Sequence, residues 1–366
     1  MKGFNTKAVH VGQKPEGLTG AVISPIYQTS TYAQEAPGKH KGFDYTRADN
    51  PNYRNLEAAI AALEEGAYAT VFSSGIGAEL AVLNLLKAGD HVVAGDDLYG
   101  GTYRLFTQWG MRFGLSFDFV DGTNPKAFEK AIQKKTKLIW IETPTNPLLK
   151  TTDIKAVATI AKKKKILTVA DNTFATPYFQ KPLNLGAAMS LHSTTKYIGG
   201  HSDVIGGVVV TNDKKLKEKL NLARMSLGIN PSPFDCWLTQ RGLKTLGLRM
   251  ERHQENAKAV VQFFKKHPLT KKVYYPGFGG MVSAEFKLTV DQTKKLISSF
   301  EYFTLGESLG GVESLVCHPA TMTHASIPPK ERVKRGLSDS LVRFSVGIED
   351  VEDLLDDLKN TLSRFG

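Results

Sequence analysis

The stretch Ile154-Lys155-Ala156-Val157-Ala158-Thr159-Ile160-Ala161-Lys162-Lys163-Lys164-Lys165-Ile166-Leu167-Thr168-Val169-Ala170-Asp171 decides the fold. It predicts a helix over 154–164 that ends in a lysine run. Cations at that end suit both the helix dipole and the solvent. A short apolar strand, Ile166 to Ala170, follows and is closed by an aspartate. The same unit repeats upstream. Strands are predicted at Ala69–Phe72, His91–Ala94, Leu115–Val120 and Lys137–Ile141. Helices alternate with them at Ile76–Lys87, Tyr103–Arg112 and Pro125–Lys134. A further helix, marked by Leu56, Ile60 and Leu63, stops at Gly66. Such alternation implies an α/β protein with a mostly parallel sheet covered on both faces.

Outside this region the pattern changes. Residues 1–48 carry little periodicity and many breakers, among them Gly12, Pro15, Gly17, Pro25 and Pro37, so they read as an extended arm. Residues 49–240 form the large α/β domain. Residues 241–366 read as a smaller α+β C-terminal domain. A long helix over 235–266 leads into it, followed by Val273-Tyr274-Tyr275 and an alternating strand at Met281–Phe286. A short helix at Ser314–Cys317, a loop at Pro328-Pro329, a strand at Leu341–Val346 and a terminal helix from Asp350 complete it.

The chain has 366 residues, 41% of them hydrophobic and 23% charged, which is ample for a buried core. No apolar run is long enough to span a membrane, and the N-terminus lacks the hydrophobic stretch of a secretory signal. Two cysteines, Cys236 and Cys317, make no disulfide framework, so a cytoplasmic location is expected. The net charge of +11 is spread along the chain without aromatic interleaving. It points to anionic small molecules rather than nucleic acid. No metal site is expected.

The candidate site starts from Asp171. Ser193-Thr194-Thr195-Lys196 closes the next strand-like segment. A carboxylate at one strand end and a lysine at another suit pyridoxal 5'-phosphate. The carboxylate keeps the pyridine nitrogen protonated and the lysine holds the aldehyde carbon as a Schiff base. Alone, the pair reads as a helix cap and a solvated cation, and the neighbours reverse that reading. The neighbours add phosphate donors. Ser73-Ser74-Gly75-Ile76-Gly77 lies between a strand and a helix, where the free N–H groups of a helix start bind anions. Ser193 and Thr195 contribute hydroxyls. Tyr99 follows a strand end, where α/β ligand sites lie, and its ring could stack on a flat cofactor. Asn146 sits just past another strand. Arg343, inside an apolar strand, either faces water or grips a carboxylate in bidentate fashion.

Together these motifs resemble the Cys/Met-metabolism family of pyridoxal-phosphate enzymes. They include Phe43-Asp44-Tyr45-Thr46-Arg47, Asp97-Leu98-Tyr99-Gly100-Gly101-Thr102, Glu142-Thr143-Pro144-Thr145-Asn146-Pro147, Asp171-Asn172-Thr173, Ser193-Thr194-Thr195-Lys196-Tyr197 and Glu307-Ser308-Leu309-Gly310-Gly311-Val312-Glu313-Ser314-Leu315. The resemblance implies a fold-type I enzyme and a homotetramer built as a dimer of dimers. It implies that Lys196 carries the cofactor, that Asp171 pairs with the ring nitrogen and that Tyr99 stacks on the ring. Gly75, Ile76, Ser193 and Thr195 would hold the phosphate, with Tyr45 and Arg47 reaching the neighbouring subunit's site. Arg343, Asn146 and Ser314 would bind the α-carboxylate of an amino acid substrate. Arg104 and Glu313 would take the distal end of a long one.

That distal pair is similar to the cystathionine γ-enzymes, and Ser226-Leu227-Gly228-Ile229-Asn230-Pro231-Ser232-Pro233-Phe234-Asp235-Cys236 resembles γ-lyases more than γ-synthases. The expected activity is therefore that of a cystathionine γ-lyase, a carbon–sulfur lyase that gives cysteine, 2-oxobutanoate and ammonia. Cystathionine γ-synthase, cystathionine β-lyase and a non-catalytic scaffold on the same fold are the alternatives. Two local departures from the family pattern stand out. One is Asn50-Pro51-Asn52-Tyr53-Arg54, and the other is the short run from Tyr275-Pro276-Gly277 into Phe278-Gly279-Gly280.

Overall fold

The computed structural model describes residues 1–325, 330, 332 and 336–365. The loop at Pro328-Pro329 lies outside them. The N-terminal stretch carries a short helix, α1 (Phe4–His10), and a two-stranded ribbon, β1 (Gln34–Ala36) with β2 (Lys39–His40). Helix α2 (Pro51–Glu64) starts ahead of the expected position because Asn50 caps it. The Asn50 side chain accepts the Asn52 N–H at 2.9 Å, and Pro51 occupies the first turn. The unusual Asn50–Arg54 stretch is therefore an anchor. Asn52 accepts the Tyr27 N–H, and the Tyr53 hydroxyl donates to Pro231 O at 2.5 Å.

The alternating units follow as β3 (Tyr68–Phe72), α3 (Gly75–Leu83), β4 (His91–Gly95), α4 (Gly100–Arg104), β5 (Ser116–Val120), α5 (Pro125–Ala131), β6 (Thr136–Glu142), α6 (Ile154–Lys163), β7 (Leu167–Asp171), α7 (Thr176–Phe179) and β8 (Met189–Ser193). Next come β9 (Gly207–Thr211) and α8 (Lys214–Leu227). The strands form one seven-stranded sheet in the order β3-β9-β8-β7-β6-β4-β5. It is parallel except for β9, which runs antiparallel between β8 and β3. Strand β9 escaped the sequence reading because no helix separates it from β8, so the alternation being followed gave no cue. The helix expected at Tyr103–Arg112 is broken. After α4 the chain makes a π turn over Leu105–Trp109 and a 3-10 turn over Gly110–Phe113. Phe106 packs there on Phe117 and Trp140, with ring centroids 4.8 and 5.2 Å apart.

The long helix expected over 235–266 is two helices, α9 (Pro233–Leu243) and α10 (Leu246–Lys266). At the break, the buried Arg249 guanidinium donates to the carbonyls of Tyr197, Ile198 and Gly242. Then come β10 (Thr270–Tyr274), β11 (Met281–Phe286), α11 (Val290–Ile297), β12 (Thr304–Leu305), β13 (Leu315–Cys317), β14 (Leu341–Ser345) and α12 (Val351–Leu362). The five strands form a second sheet, β10-β11-β14-β13-β12. The short helix expected at Ser314–Cys317 is instead strand β13, paired antiparallel to β14. Its residues are all buried between neighbours, as β-branched Val316 favours. Phe264, Phe286, Phe303 and Phe344 fill the core of this second sheet. The short connection over 275–280 closes on itself, with the Tyr275 hydroxyl donating to Gly279 O at 3.1 Å.

Candidate active site

Five strand ends meet along one edge of the large sheet. Ser74 and Gly75 follow β3, Tyr99 follows β4, Asn146 follows β6, Asp171 ends β7, and Ser193 ends β8 with Lys196 just beyond. This is the carboxyl edge, where open parallel sheets bind ligands. The second sheet brings Arg343 on β14 and the Glu307–Ser308 segment against it. The result is a cavity of about 920 Å³ lined by Gly75, Ile76, Tyr99, Asn146, Asp171, Ser193, Thr195, Lys196, Glu313 and Arg343, among others.

At one wall the start of α3 lines the cavity with Ser74, Gly75 and Ile76. Ser74 caps the helix, accepting the Gly77 N–H at 2.9 Å. Gly75 is required by close approach, since a Cβ there would meet Ser193 Cβ at 2.8 Å. Gly75→Ala is therefore expected to push Ser193 aside. Titrating the apoprotein with pyridoxal phosphate should show about tenfold weaker binding, roughly 1.4 kcal/mol, with little change in melting temperature. Binding equal to the parent protein's would show that this turn does not hold the phosphate. The Thr195 hydroxyl is braced by Gly206, donating to its carbonyl and accepting its N–H.

In the same cavity, Asp171 is only 9% exposed. Its Oδ1 accepts both the N–H and the hydroxyl of Thr173, at 3.0 and 2.5 Å. Burial raises its pKa, while the two Thr173 bonds pull the other way. Lys196 Nζ donates to Ser308 Oγ at 2.8 Å. Burial, aided by the Arg343 charge and opposed by Glu307, lowers the amine to about 8. Arg343 Nη1 donates to Asn146 Oδ1 at 2.9 Å, and Nη2 to Ser308 O at 2.8 Å. Its buried Nε has no partner among the described residues. The Tyr99 ring lies against the backbone of Gly101, where any Cβ would collide with it at 2.3 Å. Burial raises the Tyr99 phenol, and Arg104 opposes the shift, so the hydroxyl keeps its proton at neutral pH.

Four expected residues, Ser314, Tyr45, Arg47 and Arg104, are not among those lining the cavity. Ser314 is fully buried and turned from the cavity. Its hydroxyl donates to Glu349 Oε2 at 3.0 Å and accepts the Gly347 N–H at 2.8 Å, and its own N–H goes to Glu349 Oε1. With its groups committed to the 347–349 turn, Ser314 offers no donor to a carboxylate, whereas Ser308 and Arg343 line the cavity. Tyr45 and Arg47 line a separate concavity of about 530 Å³ with Asn230 and Ser232, and Arg47 donates to Met225 O. Of the distal pair, Glu313 lines the cavity and accepts the Ser202 hydroxyl, while Arg104 is exposed on α4.

Other buried carboxyls went unread in the sequence. Glu79 lines the cavity one helical turn beyond Gly75, a spacing that places both on one face of α3. It accepts the Thr102 hydroxyl, and its Oε2 has no partner among the described residues. Burial and the nearby Asp171 charge raise Glu79 well above the usual carboxylate range, and the same two causes raise Glu142. Asp97, behind Tyr99, is pushed up to about 6 by burial.

A lysine amine of lowered pKa, a braced carboxylate in the same cavity, a helix start at one wall and an arginine with a spare donor suit one kind of ligand. It is a flat, phosphorylated aldehyde whose ring nitrogen takes a proton. Pyridoxal phosphate fits this donor set, and the fold and site together define a pyridoxal-phosphate-dependent enzyme. Residues 5–363 match the model of the "Cys/Met metabolism PLP-dependent enzyme" family. The chain belongs to that family. It is 50% identical to the cystathionine beta-lyase of Coxiella burnetii, over 98% of this chain and 97% of that one. It is 48% identical to the cystathionine gamma-lyase of Dictyostelium discoideum, over 99% of this chain and 98% of the relative. A crystal structure of cystathionine gamma-lyase from Lactobacillus plantarum complexed with L-serine superposes with a TM-score of 0.96 at 43% identity, covering 99% of this chain and 98% of that one.

Proposed function

We propose that this chain is a cystathionine γ-lyase that cleaves L-cystathionine to cysteine, 2-oxobutanoate and ammonia. The observation that carries the reading is the convergence of Lys196, Tyr99, Asp171 and Arg343 on one cavity whose outer wall holds Glu313. When bound, pyridoxal phosphate supplies an electron sink for the pair released as the substrate's α-proton leaves. Asp171 holds a proton on the ring nitrogen. Gly75, Ile76, Ser193 and Thr195 hold the phosphate. The Arg343 guanidinium, steadied by Asn146 Oδ1, grips the substrate α-carboxylate. The Lys196 amine takes the α-proton and moves a second proton from the β-carbon. The Tyr99 hydroxyl, protonated at neutral pH, gives its proton to the departing sulfur. Glu313 and Arg104 meet the distal amino acid end of the substrate.

The test is product analysis by mass spectrometry after mixing the protein, pyridoxal phosphate and L-cystathionine. Cysteine with 2-oxobutanoate is expected. Homocysteine with pyruvate would overturn γ-cleavage in favour of the β-lyase reading, which the name of the Coxiella relative favours. Slow turnover with a bound cofactor, together with fast cystathionine formation from acylated homoserine and cysteine, would make the chain a γ-synthase.

We also read the chain as an arm (1–48), a large cofactor domain (49–240) and a C-terminal domain (241–366), assembled as a cytoplasmic homotetramer, a dimer of dimers. The separate concavity around Tyr45 and Arg47 supports a site completed across a subunit contact. Among the described residues no helix is long and apolar enough to cross a membrane.

A further inference from the structure

Two buried carboxylates tie together the loops that carry Tyr99 and Asn146. Asp97 lies two residues before Tyr99 in the loop after β4, and Glu142 ends the neighbouring strand β6 four residues before Asn146. Their bonds cross. Asp97 Oδ2 reaches into the second loop, accepting the Thr145 hydroxyl at 2.5 Å and the Leu148 N–H at 3.3 Å. Glu142 Oε2 reaches into the first loop and accepts the Tyr99 N–H at 2.9 Å. Its Oε1 accepts the Asn146 N–H, also at 2.9 Å. The two residues are 5% and 7% exposed, so solvent does not supply these acceptors instead.

Asn146 is held on its other sides as well. His324 Nε2 is 3.0 Å from its carbonyl oxygen, and Arg343 Nη1 donates to its Oδ1. The backbone of Tyr99 has fewer supports. Its N–H goes to Glu142 and its carbonyl to the Tyr103 N–H of α4. The single carboxyl of Glu142 thus spaces the backbone of the stacking residue from that of the residue which steadies the arginine. Burying two carboxyls in this way is costly compared with an apolar packing pair of similar volume. Its return is directional, since hydrogen bonds fix where N–H groups lie as packing does not.

We propose that Asp97 and Glu142 form a reciprocal latch that sets Tyr99 against Asn146, and so fixes the cofactor ring relative to the grip on the substrate carboxylate. Both are positioning residues, since they act through Tyr99, Asn146 and Arg343. The proposal rests on the roles given above to Tyr99 and Asn146. A displacement of about 1 Å at such a site costs on the order of 10²-fold in rate.

The bonds predict an ordered series in the holoenzyme. Both bonds of Asp97 fall on one oxygen, so Asp97→Asn keeps them and stays close to the parent in activity. Asp97→Ala loses them. Glu142→Gln keeps one acceptor and turns an amide N–H towards the other backbone N–H, so it loses half of its clamp. The measurements are kcat and KM for L-cystathionine, circular dichroism in the visible band of the bound cofactor, and melting temperature. Glu142→Gln and Asp97→Ala are expected to change the dichroism and lower kcat/KM by about 10- to 100-fold, with Asp97→Asn near the parent on both. Lower melting temperatures with unchanged dichroism and kcat/KM would overturn the latch and leave these carboxyls as scaffold. So would an Asp97→Asn variant as impaired as Asp97→Ala. Tyr99→Ala and Asn146→Ala separate the two levels. If they change dichroism and turnover while Glu142→Gln does not, the latch alone falls. If they change neither, the roles of Tyr99 and Asn146 fall and the latch with them.

Discussion

Lys196→Ala is expected to lower turnover of L-cystathionine by on the order of 10⁴-fold or more, and to end covalent retention of the cofactor. The amine is the one group here asked both to hold the cofactor and to move two protons. Its surroundings prepare it for both tasks. Burial beside Arg343 lowers it to about 8, so about a tenth of the amine is free base at pH 7 and the share rises steeply above it. The Ser308 hydroxyl, 2.8 Å from Nζ, holds it on the cavity side. Arginine is no substitute, because a guanidinium stays charged at any working pH. The measurements are steady-state kinetics and borohydride trapping followed by peptide mapping. The parent protein should carry the trapped cofactor on the peptide containing Lys196. A variant that keeps turnover and a trapped label would refute the assignment. The sign of the pH effect follows from the same shift. A depressed lysine is uncharged above its folded pKa, so capture of the cofactor by apoprotein should quicken as pH rises through 7 and level off above about 8.

Much of this site was legible in the sequence because its residues sit at strand ends. A short apolar run followed by a polar residue, repeated through an alternating pattern, puts Tyr99, Asn146, Asp171 and Lys196 at one edge once the sheet is parallel. The resemblance to a known family supplied their roles. What the sequence hid was of another kind. Glu79 and Glu142 lie within or at the end of regular elements and look like ordinary solvated carboxylates, since burial is a property of the tertiary fold. Ser314 was misplaced because the motif around it is shared with Glu313, and neighbours in a chain turn opposite ways at the start of a strand. Strand β9 had no helix before it to announce it, since none separates it from β8. At the split between α9 and α10 the buried Arg249 bonds to the Tyr197 and Ile198 carbonyls, far away in sequence, which local periodicity does not record.

Asp171 carries the second large effect. Removing one partner of a buried charge pair costs about 3–5 kcal/mol, which is roughly 10²- to 10⁴-fold in rate. Asp171→Asn keeps the shape and an acceptor for the Thr173 hydroxyl but deletes the charge that keeps the ring nitrogen protonated. Its kcat/KM for L-cystathionine should fall by that order, while cofactor trapping on Lys196 persists. The persistence separates the two roles, since the lysine makes the covalent link and the carboxylate makes it productive. Thr173→Val tests how Asp171 is aimed. It removes the hydroxyl at 2.5 Å from Oδ1 and spares the backbone N–H at 3.0 Å, so a smaller loss of about 10-fold is expected, in line with one charge-assisted hydrogen bond. Kinetics and the visible absorbance of the bound cofactor, read side by side, check both variants. If Asp171→Asn turned over like the parent, the ring would not depend on this carboxylate. Glu79, which lines the same cavity with one oxygen unpartnered among the described residues, would then be the acid to replace next.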